Sequence, residues 1–404
     1  MRILFADKFP ADQMARIADR GHEYEVRPDL TAAALPDVIT GFDVLIVRST
    51  EVTADTLHAA DALELVVRAG AGYNTIDVAA AAERGIHVCN VPGKNAVAVA
   101  ELAFGLLLSI DRNIPDNVID LRAGKWDKSR YQRAQGLCGR AVGVVGVGAI
   151  GMAFAERAHA FGMKVHVMAN SERSAGKVQR LAAMGASYHD GLLDLADAVD
   201  VVSFHVPADP TTEGIIGTAL LSRLRPGAIV LNTSRGNLVD ESALLAALDS
   251  GIRVGLDVYP DEPAFGVGDY SSELAQHQNA YGTHHIGAST EQAQRAIADE
   301  VVEIVVGFES GAVRNSVNLD SLRGTTTMVV RHSNQVGVLA GVLGSLRKAG
   351  FNVEQMENRV FSGGSAAAAT IQITGTPDDE FRSELMAMPD VLGVSVKHRA
   401  EEAL

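Results

Sequence analysis

The chain has 404 residues, 47% of them apolar, and a formal charge of −15. That length exceeds one ordinary core, so two or three domains are expected, and the acidity argues against nucleic acid and anionic membrane as partners while leaving small anions open. Cys89 and Cys138 are the only cysteines and read as reduced thiols of a cytoplasmic protein. No signal-peptide pattern opens the chain, and no apolar run reaches the roughly 20 residues of a bilayer span.

Short apolar runs alternate with helical patterns from the start. Strands are predicted at 3–6, 44–47, 65–68 and 87–90, with helices near 10–20, 53–60 and 76–84 between them. The rhythm indicates a parallel sheet covered by helices. The segment 96–110 reads as a buried helix interrupted by Glu101. A second strand series runs through 141–146, 164–168, 201–204, 229–232 and 253–257, the pattern of a doubly wound sheet. The helical stretch 291–309 is expected to cross back to the first sheet. A polar linker is expected around 316–325. Beyond it, strand, helix, strand, strand, helix and strand succeed one another from 327 to 398, the βαββαβ order of the ferredoxin-like motif. Ser362-Gly363-Gly364-Ser365 supplies the hairpin turn between its central strands.

The stretch Val145-Gly146-Val147-Gly148-Ala149-Ile150-Gly151 ends a predicted strand and opens a predicted helix. Gly146 suits a tight turn, Gly148 a close approach to a pyrophosphate, and Gly151 close helix–strand packing, so a nicotinamide dinucleotide is the expected cofactor. Roughly 20 residues on, where NAD sites carry an acid for the ribose hydroxyls, the chain reads Ala169-Asn170-Ser171-Glu172-Arg173. Loss of that acid opens the site to NADP, with Ser171 and Arg173 as ligands for a 2′-phosphate. Glu172 takes the ribose role only if the loop shifts.

Hydride transfer between a hydroxyl and a nicotinamide also needs a carboxylate clamp, a proton carrier and a group that tunes it. Arg235 ends a strand within Asn232-Thr233-Ser234-Arg235-Gly236 and suits the clamp. Asp257-Val258-Tyr259-Pro260-Asp261-Glu262-Pro263 also ends a strand, and an acid fixed between its prolines is placed to orient another group. His284 and His285 offer the proton, since pairing with a carboxylate favours the protonated imidazole. No cluster at ligand spacing supports a metal.

These segments resemble the D-isomer-specific 2-hydroxyacid dehydrogenases over residues 1 to about 315, with Trp126 and His205-Val206-Pro207 among the matching positions. The resemblance implies that Arg235 binds substrate, that His285 is the acid/base, and that Glu262 raises its pKa. His284 stands where the family usually has Pro, and the Ile-Gly-Ala-Ser that follows points to His285. It implies cofactor contacts from Val99, Gly146, Gly148, Ala149, Ile150, Gly151, Ala169, Asn170, Arg173, His205, Pro207, Thr233, Gly287 and Asp257, the last on the carboxamide, and it favours NAD.

Within the family, Arg48-Ser49-Thr50, Arg68-Ala69-Gly70-Ala71-Gly72 and Asn90-Val91-Pro92-Gly93-Lys94-Asn95 resemble the members that oxidise 3-phospho-D-glycerate. Substrate contacts are expected from Arg48, Ser49, Gly70, Ala71, Gly72, Lys94 and Asn95, with Arg48 and Lys94 as phosphate cations. The last segment resembles the ACT regulatory domain, with His332, Asn334 and Asn352 at positions that hold free serine; Gln335-Val336 replaces the usual Arg-Pro.

The implied architecture is a flavodoxin-like substrate domain (1–97 and 289–315), a Rossmann domain (98–288), a linker (316–325) and an ACT domain (326–404). A homodimer or homotetramer is expected. The rival readings are a hydroxypyruvate or glyoxylate reductase, a formate or phosphite oxidising member, and a non-catalytic cofactor-sensing regulator.

Overall fold

The computed structural model describes residues 1–263, 268–319 and 325–398. Two compact units meet between Asn318 and Leu319.

The first unit contains two all-parallel sheets. The first is built from β1 (Arg2–Phe5), β2 (Glu23–Val26), β3 (Val44–Val47), β4 (Leu65–Arg68) and β5 (His87–Cys89), ordered β2-β1-β3-β4-β5. That is the flavodoxin-like winding. Its inner strands are continuous apolar runs because helices cover both faces.

The second sheet holds β6 (Ala141–Val145), β7 (Lys164–Met168), β8 (Ser187–His189), β9 (Val201–Phe204), β10 (Ile229–Asn232), β11 (Arg253–Leu256) and β12 (Ala280–Gly282). The order β12-β11-β10-β9-β6-β7-β8 is doubly wound, reversing between β6 and β9. Ligands of such sheets bind beyond the carboxyl ends of the strands at that switch.

Two long helices join the sheets. Ala96–Arg112 begins beside the first sheet's last loop, and Ala100, Ala103, Leu106, Leu107 and Ile110 lie in the second sheet's core. The expected boundary at 97/98 therefore falls inside a helix. Glu291–Glu309 returns, packing Ile297, Val301, Val302 and Val305 against Ile3, Phe5 and Val67. Glu300 of this helix is 8% exposed. It accepts Lys94 at 3.1 Å, Arg314 at 3.2 Å and Asn315 at 3.2 Å. The Lys94 ammonium, expected to be a phosphate ligand, is 43% exposed and shares the Glu300 carboxylate with Arg314.

The expected linker also needs correction at its start. Ser316 bridges to Cys89, the Val317 amide donates to the Val88 carbonyl, and Asn318 donates to the Ile86 carbonyl, so 316–318 close the first sheet's β5 edge. Residues 320–324 of that segment lie outside the described residues.

The second unit comprises β13 (Thr326–Ser333), a helix (Val338–Lys348), β14 (Val353–Val360), β15 (Ala366–Ile373), a helix (Asp379–Met386) and β16 (Val391–His398). Its antiparallel sheet is ordered β14-β15-β13-β16, the ferredoxin-like arrangement. Alternation along β15 turns Ala367, Ala369, Ile371 and Ile373 onto the helices. Among the described residues, no helix is long and apolar enough to cross a membrane.

Lys94→Ala removes one of the two cations on Glu300. It should cost about 1 kcal/mol in urea unfolding, because Arg314 remains, and leave the Michaelis constant for substrate unchanged. A large rise in that constant would return Lys94 to the substrate set.

Candidate active site

The loops after β4, β10, β11 and β12 converge on one region between the two sheets of the first unit. Their positions follow from backbone polar groups that must be satisfied and from glycines where no Cβ fits.

Asp257 follows β11 and is 1% exposed. Its Oδ1 accepts the Thr283 hydroxyl at 2.7 Å and the Ile286 N–H at 2.8 Å, and its Oδ2 accepts the Gly287 N–H at 2.8 Å. Its backbone carbonyl accepts the His285 N–H at 2.7 Å. The loop 283–287 is thereby wrapped around one carboxylate. His285 is held at φ 51°, a left-handed conformation a non-glycine residue rarely adopts. A Cβ at Gly287 would lie 2.9 Å from Asp257 Oδ2 and 3.4 Å from Val99, which brings three expected cofactor residues together.

His285 Nδ1 pairs with Glu262 Oε1, and Glu262 Oε2 accepts the Tyr259 N–H at 3.2 Å. His284 is exposed. Burial raises the Glu262 pKa, but the hydrogen bond and charge of His285, the Tyr259 N–H and Arg235 together hold it below the usual carboxylate value. With Nδ1 engaged, Nε2 is the His285 nitrogen left for proton transfer.

Arg235 lies on the other side of this pair. Asn232 fixes its loop by donating from Nδ2 to the Arg235 carbonyl at 2.8 Å and accepting the Ser234 N–H at 3.0 Å. Gly236 is required there, since a Cβ would fall 2.0 Å from the Tyr259 carbonyl oxygen. The Arg235 guanidinium donates to the Ser234 carbonyl at 2.6 Å and reaches the Gly70–Gly72 loop, where a Cβ at Gly72 would sit 2.1 Å from Nη2. Burial lowers its pKa, with Glu262 acting in the opposite sense.

Arg68, at the end of β4, completes a cationic cluster that the sequence reading did not assign. A Cβ at Gly70 would lie 1.5 Å from Arg68 Nη1, so this glycine makes room for a guanidinium. Burial, then repulsion by Arg235 and Arg48, pushes Arg68 down to about 10, with Asp7 opposing. Its Nε is buried without a partner. Among the described residues, none of Arg48, Arg68 and Arg235 forms an ion pair with a carboxylate within 4.0 Å. Asp7 instead accepts the N–H groups of Arg48, Ser49 and Thr50 at 2.6, 3.1 and 3.1 Å, which fixes that loop. Asn90 donates to the Ala71 carbonyl at 2.6 Å, and Gly70 accepts the Val91 N–H at 2.9 Å. Asn95 stands at the N-terminal end of the following helix without a side-chain cap, its Oδ1 buried and unpartnered.

The dinucleotide fingerprint fits its expected group. Gly146 has φ 91°, and a Cβ there would lie 2.5 Å from the His205 carbonyl; one at Gly151 would lie 1.9 Å from the Gly146 carbonyl. Gly148 faces open space, ahead of the helix Ala149–Ala160, which includes Ile150. Gly93 of the crossing loop approaches Ala149. Burial drives the His205 pKa down to about 3, so its imidazole is neutral, with Nε2 2.8 Å from the Ser203 hydroxyl and Nδ1 unpartnered. Thr233 Oγ1 is likewise buried without a partner, as a ligand-facing hydroxyl would be. The Pro207 carbonyl accepts from Thr212. Ala169 and Asn170 are exposed after β7.

The three expected effector residues do not meet within one unit. His332 is 2% exposed and pairs with the Ser333 carbonyl and with Asn358. Asn334 donates to the Gly364 carbonyl near the same end. Asn352 precedes β14 beside Ile373, at the other end of the sheet, and donates to Glu354. In the register Ser333 opposes Ala366 and Thr326 opposes Ile373. The two ends are therefore roughly 20 Å apart at about 3.3 Å per residue.

A family model described as D-isomer specific 2-hydroxyacid dehydrogenase, NAD binding domain, matches residues 104–287. The chain is 37% identical over 326 residues to a D-3-phosphoglycerate dehydrogenase of Methanocaldococcus jannaschii, covering 79% of this chain and 60% of that protein. It is 39% identical over 272 residues to a hydroxypyruvate reductase of Thermotoga maritima, covering 67% of this chain and 85% of that protein. Among solved structures, the TT0316 protein of Thermus thermophilus aligns with a TM-score of 0.70 at 32% identity, over 78% of this chain and all of that one. The chain spans 60% of the length of the Methanocaldococcus protein.

Two variants test this geometry. Asp257→Ala leaves the Ile286 and Gly287 amides and the Thr283 hydroxyl without their acceptor and should destabilise the protein by roughly 2–4 kcal/mol in urea unfolding; a loss under about 0.5 kcal/mol would mean the loop is held otherwise. Because the Glu262 pKa is lowered by folding, its contribution to stability is complete above the unfolded value of about 4.3. It fades as pH falls through the depressed folded value. The melting-temperature gap between the native chain and Glu262→Gln should therefore be open at pH 7 and close on acidification; a gap independent of pH would refute the charge-based account.

Proposed function

Since the chain belongs to the D-isomer-specific 2-hydroxyacid dehydrogenases, we propose that it oxidises 3-phospho-D-glycerate to 3-phosphohydroxypyruvate, the opening step of phosphorylated serine synthesis. The observation that carries this reading is the cluster of Arg48, Arg68 and Arg235, buried in part and, among the described residues, without a carboxylate ion pair within 4.0 Å. Such a cluster costs desolvation and repulsion that a doubly anionic substrate relieves. A carboxylate alone needs one guanidinium fork; the two further cations suit a phosphate.

The chain's residues divide the work by position. Arg235 grips the carboxylate and polarises the adjoining C2 oxygen. Arg68 and Arg48 hold the phosphate, with the Gly70–Gly72 amides near the carboxylate. His285 Nε2 takes the C2 hydroxyl proton while Nδ1 stays on Glu262, which orients the ring and stabilises the imidazolium. A nicotinamide dinucleotide held at the Gly146–Gly151 turn would supply the acceptor for the hydride leaving C2, balancing the loss of the hydroxyl proton to His285 as the carbonyl forms. Neutral His205 and the Thr233 hydroxyl line that side.

We read the second unit as an ACT domain that senses free L-serine. The separation of His332 and Asn334 from Asn352 means that one copy cannot hold the effector with all three. A second copy, its sheet running antiparallel to the first, supplies the missing end, which accords with a cytoplasmic homo-oligomer. The alternative substrate is hydroxypyruvate, in line with the name of the Thermotoga relative. The arginine cluster and the additional unit favour the phosphorylated acid.

Initial rates with 3-phospho-D-glycerate should exceed those with D-glycerate at equal concentration, and millimolar L-serine should lower them. His285→Ala should reduce turnover by about a hundredfold or more. Arg68→Gln should raise the Michaelis constant for the phosphorylated acid by about tenfold or more with a smaller effect on D-glycerate. Equal use of both acids by the native chain would move the assignment to the reductase.

A further inference from the structure

The adenosine end of the dinucleotide site departs from the pattern that recognises an unphosphorylated ribose, and its side chains are arranged for a different group. β7 ends at Met168, and the next residue, where an acid would accept the ribose hydroxyls, is Ala169. Its N–H is committed to the His189 carbonyl at 2.7 Å, so the methyl side chain is fixed at the end of the strand. The chain then turns sharply, Asn170 Oδ1 accepting the Glu172 N–H at 2.8 Å. That turn returns Arg173 to the strand end. Its Nη2 donates to the Met168 carbonyl at 2.9 Å, and the guanidinium carbon sits 5.9 Å from the centroid of the Tyr188 ring on β8.

Arg173 is therefore held at two points, next to the missing acid, and neither point neutralises it. Among the described residues it forms no ion pair, whereas Arg180 on the following helix is closed onto Glu156 at 2.5 Å and Arg157 onto Glu101 at 2.8 Å. A guanidinium carries five N–H donors, and one is used here by Met168. Glu172 is exposed and does not pair with it. Ser171 offers an exposed hydroxyl in the same turn.

We propose that this pocket is built for a 2′-phosphorylated adenosine ribose, so that NADP rather than NAD is the preferred cofactor. Arg173 is the specificity-determining residue, and Tyr188 and the Met168 carbonyl hold it in place. The phosphate receives the free guanidinium donors, while Ala169 contributes neither the repulsion that excludes a 2′-phosphate nor the acceptor that rewards a free 2′-hydroxyl. The proposal rests on the dinucleotide reading of the fingerprint and is independent of which hydroxy acid is oxidised.

Calorimetric titration of the full chain with 2′,5′-ADP and 5′-AMP, and then with NADPH and NADH, tests it without substrate. The 2′-phosphorylated ligand of each pair should bind more tightly by about ten- to a hundredfold, the worth of one or two charge-assisted hydrogen bonds. Arg173→Gln should remove most of that gain and leave 5′-AMP and NADH unchanged. Tyr188→Leu should remove a smaller part, and Ala169→Asp should reverse the preference. Tighter binding of NADH by the native chain overturns the proposal. So does an Arg173→Gln loss shared equally by both ligands, or a Glu172→Gln variant that selectively weakens NADH. If none of the four ligands binds, the dinucleotide site itself is lost and the proposal with it. Discrimination by 2′,5′-ADP in a protein that does not turn over 3-phospho-D-glycerate would reject the substrate reading alone.

Discussion

The active region depends on the Asp257 carboxylate more than on any other single group. A buried carboxylate must be compensated, and here three donors from one loop do so. The same bonds fix where that loop can go. Because Thr283, Ile286 and Gly287 all close onto Asp257, His285 between them has little freedom, and its left-handed backbone follows. Pairing with Glu262 then sets the ring. The position of the His285 ring is thus inherited from the end of β11, an inner strand of the second sheet. Contact of Asp257 with a carboxamide is compatible with this, since a carboxylate has about four lone-pair sites and three are used.

A second constraint is steric and concerns glycine. The Gly70–Gly72 segment reads from sequence as a cradle of backbone N–H groups. The structure adds that both glycines are also spaces for guanidinium groups: a side chain at Gly70 would displace Arg68, and one at Gly72 would displace Arg235. Two cations from different sheets are admitted to one small region by deleting two Cβ atoms. The burial of Arg68 and, after it, the repulsion between these cations lower the Arg68 pKa, a cost the folded chain carries in the absence of an anion. The cost is offset when an anion binds, so the region is selective for negative charge although the chain as a whole bears −15. Local placement outweighs net charge at this range.

Most of the architecture was legible because buried parallel strands are uninterrupted apolar runs. Val44–Val47, Val201–Phe204 and Ile229–Asn232 were found at their observed bounds, and the returning helix Glu291–Glu309 likewise. The strands that escaped notice are β2, β8 and β12, with sequences EYEV, SYH and AYG. All three are sheet edges, where partial exposure removes the apolar run that marks a strand. Sequence motifs also brought Arg235, Glu262 and His285 to one site, because each motif follows a strand of one sheet. The Lys94–Glu300 ion pair was not legible for the opposite reason: the two residues lie far apart along the chain and meet only through the fold. Arg68 was read within its motif but given no role, since only the fold sets it against Arg235. The placement of the effector positions was similarly hidden, since spacing along β13 and β14 does not reveal that an antiparallel register puts them at opposite ends.

These results share a topological cause. In a parallel sheet every strand delivers its following loop to the same side, so a residue placed after any strand reaches a common edge. Gly146 after β6, His205 after β9, Arg235 after β10, Asp257 after β11 and His285 after β12 obey that rule in the second sheet, and Arg68 ends β4 of the first. Arg173 obeys it after β7. Acidic residues admitted there, such as Asp7, Asp257 and Glu262, are each engaged by loop amides or by the His285 ring. What remains is a strip that includes the Arg68, Arg173 and Arg235 guanidinium groups, none ion-paired with a carboxylate among the described residues. A strip of that kind suits a ligand carrying several phosphates and a carboxylate along its length, and the identity of each anion is then set by which strand carries a guanidinium and which carries only backbone amides.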